Sequence, residues 1–133
     1  KKKGSILKIG KNCNIKSSFL SNLVGLSQRT IIVTRTSQAK IEIGDNVGIS
    51  GATIYARKGI SIGDNTLIGG NVKILDNDFH PIDIDARNED DKSMIKSKEI
   101  IIGKTNSLYL LVIGNIKIWI EDTIPIIIAA SEK

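Results

Sequence analysis

Residues 41 to 74 read IEIGDNVGISGATIYARKGISIGDNTLIGGNVKI, and this stretch decides the fold. A six-residue phrase recurs in it: an aliphatic residue, Gly, a polar residue, Asn, a small or β-branched residue, and a spacer. The copies are Ile43, Gly44, Asp45, Asn46, Val47, Gly48; then Ile62, Gly63, Asp64, Asn65, Thr66, Leu67; then Ile68, Gly69, Gly70, Asn71, Val72, Lys73. An earlier copy is Ile9, Gly10, Lys11, Asn12, Cys13, Asn14. A longer period overlays the phrase, since Ile41 to Tyr55 matches Ile60 to Ile74 with a shift of nineteen residues. Three phrases and one extra residue therefore make one coil, the signature of a parallel β-helix in which each turn of chain stacks on the last.

Each position has a physical task. The leading Ile and the residue four places later (Cys13, Val47 or Thr66) are expected to point into a narrow prism. There one coil's Ile sits on the next coil's Ile at the roughly 4.8 Å spacing of paired strands. The residues between turn a corner. Gly takes positive φ freely and Asn tolerates it better than most residues, so Gly beside Asn is corner chemistry. These residues specify scaffold and carry no function of their own.

Composition agrees with this reading. About one residue in five of the 133 is Ile, while aromatic residues make up 4%, as suits an interior of stacked aliphatic ladders. The net charge is +5, and Lys1, Lys2 and Lys3 open the chain. No aromatic residues are interleaved with the basic ones as on a base-stacking surface, so solvated lysines are expected and no nucleic-acid partner. Cys13 is the single cysteine and cannot form an internal disulfide; its place in the phrase makes it a small core residue. No run approaches the roughly 20 apolar residues of a membrane span. Lys8, Gly10 and Lys11 interrupt the apolar stretch that a signal peptide would need, so no membrane insertion and a cytoplasmic location are expected.

The expected organisation is a single all-β domain over residues 1–133. Residues 5 to 15 read as an initial, imperfect coil, and Lys16 to Lys40 as a further coil with an irregular loop near Leu20 to Gln28 and a β run from Thr30 to Thr34. The clean repeat stops after Ile74. Taking Ile102, Gly103 as the next coil puts Ile102 forty residues after Ile62, twenty-one more than the regular period. The insertion, residues 76–98, is polar and charged and contains His80, the only histidine of the chain. A long loop that interrupts a regular solenoid is a frequent place for function. Residues 104–133 read as irregular terminal coils without the Gly and Asn corners.

Repeat and insertion together resemble the hexapeptide-repeat acyltransferases, in particular the sugar and polysaccharide O-acetyltransferases. The segment Ile74, Leu75, Asp76, Asn77, Asp78, Phe79, His80, Pro81, Ile82, Asp83 is similar to the stretch in which those enzymes keep a catalytic histidine followed by Pro and an aliphatic residue. The resemblance implies a left-handed parallel β-helix. It also implies a homotrimer with active sites between neighbouring prisms, and acetyl-CoA as co-substrate lying along the coils. In the tail, Ile118, Trp119, Ile120 matches part of the family's Asn, aliphatic, Trp, Ile, Gly segment, with Glu121 in place of Gly. Ala129, Ala130, Ser131 resembles the small-residue segment beside the pantetheine arm without its Gly. Trp119, Ala129, Ala130 and Ser131 are therefore the cofactor-binding positions that the resemblance implies.

The chemistry agrees with the residues. Acyl transfer from a thioester to a hydroxyl needs a positioned base, and imidazole has a near-neutral unperturbed pKa, which makes His80 the candidate catalytic residue. Asp76 and Asp78 either orient the imidazole or bind sugar hydroxyls, with turn formation as their alternative use. Arg87 is placed to meet an anionic group on acceptor or cofactor, or to remain in solvent. Phe79 is expected to anchor the base of the loop. No metal is expected, since a zinc hydratase on such a scaffold needs three histidines. The leading function is an acetyl-CoA-dependent O-acetyltransferase acting on a sugar or surface-polysaccharide precursor. An amino-sugar nucleotide N-acyltransferase and a non-catalytic structural β-helix protein are the alternatives. Leu108 to Val112 is the candidate subunit contact.

Overall fold

The computed structural model describes residues 1–108. Among them the regular structure is almost all strand: β1 Ile6–Ile9, β2 Asn14–Lys16, β3 Ile31–Thr34, β4 Lys40–Ile43, β5 Gly48–Ser50, β6 Thr53–Ala56, β7 Gly59–Ile62, β8 Leu67–Ile68, β9 Lys73–Leu75, β10 Ile100–Ile102 and β11 Ser107–Leu108. The chain visits three parallel sheets in rotation: β1-β4-β7-β10, then β2-β5-β8-β11, then β3-β6-β9. The helical structure is one short helix, α1 Ile84–Asn88, and a single 3-10 turn, Lys92–Met94, both inside the insertion.

The inward columns are those the phrase predicts. Ile9, Ile43, Ile62 and Ile102 stand in register on the first sheet, with Leu7, Ile41, Ile60 and Ile100 beside them. Ile15, Ile49, Ile68 and Leu108 form the column of the second sheet, and Ile32, Ile54 and Ile74 that of the third. Stacking is what buries them: Ile43 and Ile62, with coils on both sides, are each 3% exposed, whereas Ile9 in the first coil is 45% exposed. Val47 and Thr66 are buried and Cys13 packs against the same core. Leu108, half-buried, also packs against this core; the rest of the expected subunit contact, Tyr109 to Val112, lies outside the described residues.

The forty-residue step from Ile62 to Ile102 is found as expected. The nineteen-residue shift is found on the first two sheets, where Ile41 pairs with Ile60 and Ile49 with Ile68. On the third it becomes twenty, and Ile54, not Tyr55, lies over Ile74. The corner through Gly69, Gly70 and Asn71 holds one residue more than the corner at Gly51. A slip of one residue exchanges the two faces of a strand, so the longer corner is what keeps Ile74 inward and Leu75 outward.

The corner chemistry also divides differently from expectation. Asn12, Asn46, Asn65 and Asn71 carry the left-handed φ, at 55° to 64°. The preceding Gly has another reason. A Cβ at Gly63 would lie 2.7 Å from the Gly103 carbonyl carbon on the next coil, and one at Gly44 would lie 2.8 Å from the Asp64 nitrogen. Gly is there because backbones stack directly over one another, and Asn because the chain turns left-handed. The same geometry shows that the phrase continues past Gly103: Thr105 takes the left-handed corner, φ 57°, and its N–H donates to Asp64 O at 2.9 Å. The start of the expected irregular tail is thus regular through Leu108; the rest lies outside the described residues.

The first coil's irregular loop folds back over the second corner. Leu26 is buried against Gly51 and Gly70. Gln28 Nε2 donates to Thr53 Oγ1 at 2.6 Å, and Asn71 Oδ1 accepts from Ser27 N at 2.9 Å. Leu20, Leu23 and Val24 remain exposed on this loop.

Candidate active site

The insertion leaves the solenoid at the corner between β9 and β10. Its two ends run antiparallel, with Asn77 bridged to Ser97, Asp78 N–H donating to Lys96 O at 3.2 Å and Lys98 N–H donating to Asp76 O at 2.9 Å. This stem closes the loop locally, so the coils on either side keep their register despite about twenty extra residues.

Asp76 sits at the root of the stem and is 4% exposed. Its Oδ1 accepts from Arg57 N at 2.8 Å, and its Oδ2 from Lys58 N at 2.7 Å and Gly59 N at 2.8 Å. A buried carboxylate that accepts several backbone N–H groups is well satisfied and fixes the turn that supplies them. Asp76 therefore clamps the corner of the preceding coil. Its oxygens are occupied by these backbone N–H groups and by the Asn77 side-chain amide, which donates to Oδ1 at 3.2 Å, and this accounts for it without a role toward acceptor or imidazole.

His80 follows at once. Asn77 Oδ1 accepts from Phe79 N at 2.9 Å, an Asx turn, and His80 N–H donates to Asp78 O at 2.7 Å across Phe79, whose φ is +63°. It is thus the carbonyl of Asp78, not its carboxylate, that holds the histidine. The carboxylate is exposed, and so is His80. Among the described residues no hydrogen bond reaches the imidazole ring. The ring of Phe79 packs on Tyr55, with centroids 5.0 Å apart and planes tilted by 40°, so Phe79 does anchor the loop base.

Arg87 secures the other side. Asp83 caps α1, its Oδ1 accepting from Ala86 N at 2.9 Å, and the helix ends in a Schellman pair: Asp91 N–H to Ala86 O at 2.8 Å and Asp90 N–H to Arg87 O at 3.2 Å, with Asp90 left-handed. From this turn the Arg87 Nε–H donates to Pro81 O at 2.9 Å. Arg87 braces the peptide beside His80 and leaves the outer guanidinium N–H groups for solvent or an anion. Pro81 and Ala86 are buried beneath it. Further along, Asp91 caps the 3-10 turn; hydrogen bonds from the Ser93 hydroxyl and then the Ser93 N–H hold its carboxyl below the usual range. Arg57 Nη2 reaches Lys92 O at 3.4 Å, a further tie between loop and coil.

The structure thus brings His80, Asp78 and Arg87 to one end of the loop and withdraws Asp76 into the scaffold. The cofactor-binding positions Trp119, Ala129, Ala130 and Ser131 lie outside the described residues. Two shallow grooves lie elsewhere. One of about 810 Å³ crosses the first sheet past Lys8, Glu42, Ser61 and Ile101, and the other crosses the second sheet past Lys16, Ser50 and Leu67. Neither includes His80, and grooves between outward side chains of a flat sheet are open to solvent. Sequence reasoning missed the Tyr55 partner of Phe79 and the clamp made by Asp76. Asp76 had a readable signal: it directly follows the inward Ile74 and outward Leu75, so it falls at an inward position. Among the described residues no group of three or more His, Cys, Asp or Glu converges to hold a metal, and no helix is long and apolar enough to cross a membrane. No family model, curated protein or solved structure matches the chain.

Proposed function

We propose that this protein is an acetyl-CoA-dependent O-acetyltransferase acting on a sugar or surface-polysaccharide precursor. In this reading the solenoid is a left-handed β-helix, three copies assemble side by side, and His80 is the general base. The observation that carries it is the placement of His80. The chain's one imidazole is exposed at the first turn of the long insertion, and its backbone is held on one side by Asp78 O and on the other by Arg87 bonded to Pro81 O. A base needs this combination of a fixed backbone and an accessible ring nitrogen.

Acetyl-CoA supplies an activated acyl carbon. The imidazole takes the proton from the acceptor hydroxyl as that oxygen bonds to the acyl carbon. A backbone N–H stabilises the oxygen that becomes negative. The same imidazole returns its proton to the departing thiolate as the C–S bond breaks, so His80 ends as it began. Exposed Leu20, Leu23 and Val24 support the assembly, because neighbouring copies would remove them from water.

The test is transfer of radiolabelled acetyl from acetyl-CoA, screened over sugars, sugar nucleotides and amino-sugar nucleotides, beside thermal unfolding with and without CoA. Transfer to hydroxyl acceptors and a CoA-dependent rise in Tm are expected. Label on the amine of an amino sugar alone moves the assignment to N-acylation; neither transfer nor a Tm shift removes the enzyme reading.

A further inference from the structure

The coils place asparagine at four left-handed turns, Asn12, Asn46, Asn65 and Asn71, with Gly51 and, in the last described coil, Thr105 at others. The insertion has Asp90 at one such position and Phe79, φ +63°, at the other. This conformation is cheap for Asn and costly for a bulky aromatic residue. Residues kept there against their preference cluster at functional sites. Packing recovers only part of the cost, because the Phe79 ring leans on Tyr55 while the residue stays 41% exposed.

Tyr55 belongs to the outward column Val33, Tyr55, Leu75 on the β3-β6-β9 sheet. Its members are half-buried, and Tyr55 among them packs on the ring of Phe79. Asp78 and His80 flank that ring in the chain, both exposed. An aromatic floor beside hydrogen-bonding groups suits a pyranose, whose C–H face packs on an aromatic ring while its rim hydroxyls meet polar partners. We propose that Tyr55 and Phe79 form the floor of an acceptor subsite, which stacks on the C–H face of a pyranose ring and leaves a rim hydroxyl toward His80. The last part rests on the acetyltransferase reading; the stacking does not.

Saturation-transfer NMR with methyl β-D-glucopyranoside and methyl β-D-galactopyranoside, run on the parent and on Phe79→Asn, tests the stacking. Asn suits the left-handed turn, so the variant is expected to hold or raise the Tm while ring C–H saturation is lost and affinity falls about tenfold, the scale of one stacking contact. In transfer assays the acceptor KM rises by a similar factor and the acetyl-CoA KM does not change. Phe79→Leu, which keeps an apolar anchor but no aromatic face, gives the same loss if Phe79→Asn fails to fold. Parent protein that saturates neither glycoside, or variants that saturate them as well as the parent, overturns the subsite. Stacking without acetyl transfer keeps the subsite and removes the acetyltransferase reading. Transfer with an unchanged acceptor KM in both variants keeps that reading and removes the subsite.

Discussion

In the coils, the partner of a residue lies one turn of chain away. Ile43 stacks on Ile62, Asn46 Nδ2 donates to Asn65 Oδ1 at 3.2 Å, and Asp45 N–H donates to Asp64 Oδ1 at 2.9 Å. Within the insertion's turns, beyond the stem that closes it, the partner lies a few residues along: Asn77 with Phe79, Asp83 with Ala86, Asp91 with Ser93, Arg87 with Pro81. The coils bury side chains and expose corners, while the insertion spends backbone and short polar side chains on turns and leaves Asp78 and His80 free. A scaffold whose stability comes from stacking leaves the loop's side chains open to a different use.

The widest separation of the two regions comes from a charge placed inside the stack. Ile62 lies between Ile43 and Ile102, each 3% exposed. Ile62→Asp loses about 2–5 kcal/mol of packing and adds an unpaired buried carboxylate, enough to exceed much of a small domain's stability. Chemical denaturation is expected to show an unfolded or nearly unfolded chain. A midpoint close to the parent's means that the inward column has been misassigned.

His80→Ala is the counterpart in the insertion. The side chain is exposed and makes no hydrogen bond among the described residues, so stability is expected to stay within about 0.5 kcal/mol. Loss of a general base lowers the rate by about 100-fold to 10,000-fold. Equal turnover by variant and parent takes His80 out of the mechanism, whatever the fold.

Asp76 is where the two regions meet, since its carboxylate leaves the loop to hold three N–H groups of the coil below. Asp76→Ala strands those donors and is expected to cost about 3 kcal/mol, with Asp76→Asn, which keeps an acceptor oxygen, costing less. Hydrogen exchange at Arg57, Lys58 and Gly59 gives the local readout: faster in Asp76→Ala, with β1 and β4 less affected. Unchanged exchange there refutes the clamp.

Asp76 also marks where the sequence stopped being readable. Periodicity revealed the strands, the inward Ile columns and the position of the insertion, because each of those residues answers to a copy of itself. It missed the one-residue slip at Gly69 to Asn71, because a corner can hold an extra residue without changing the composition of the phrase. It treated Gly and Asn as equivalent, because the close backbone approach that needs Gly63 exists only between coils. Within the insertion no copy exists to compare, so the pairing of Phe79 with Tyr55, twenty-four residues earlier, left no trace in the pattern.

The smallest effect tests whether the outer corners contribute to stability. Asp64 accepts from Lys104 Nζ at 2.9 Å and from Asp45 N at 2.9 Å. The Lys104 hydrogen bond, with the Asp45 N–H next, holds the Asp64 carboxyl below its ordinary 3.8, while the Asp64 hydrogen bond lifts Lys104 above its ordinary 10.5. A depressed carboxyl stabilises the fold above the unfolded pKa, and that contribution fades as pH falls below about 3.8 through the folded value. The raised Lys104 stabilises below 10.5 and fades as pH rises beyond it. Both groups face water, so the pair is screened by salt and the effect is small. Denaturation midpoints of Asp64→Ala are expected just under the parent's at pH 7 and low salt, converging at high salt and at the acid end. A loss as large as that of Ile62→Asp would place this corner inside the core, and the division between stacked interior and solvated corner would fail.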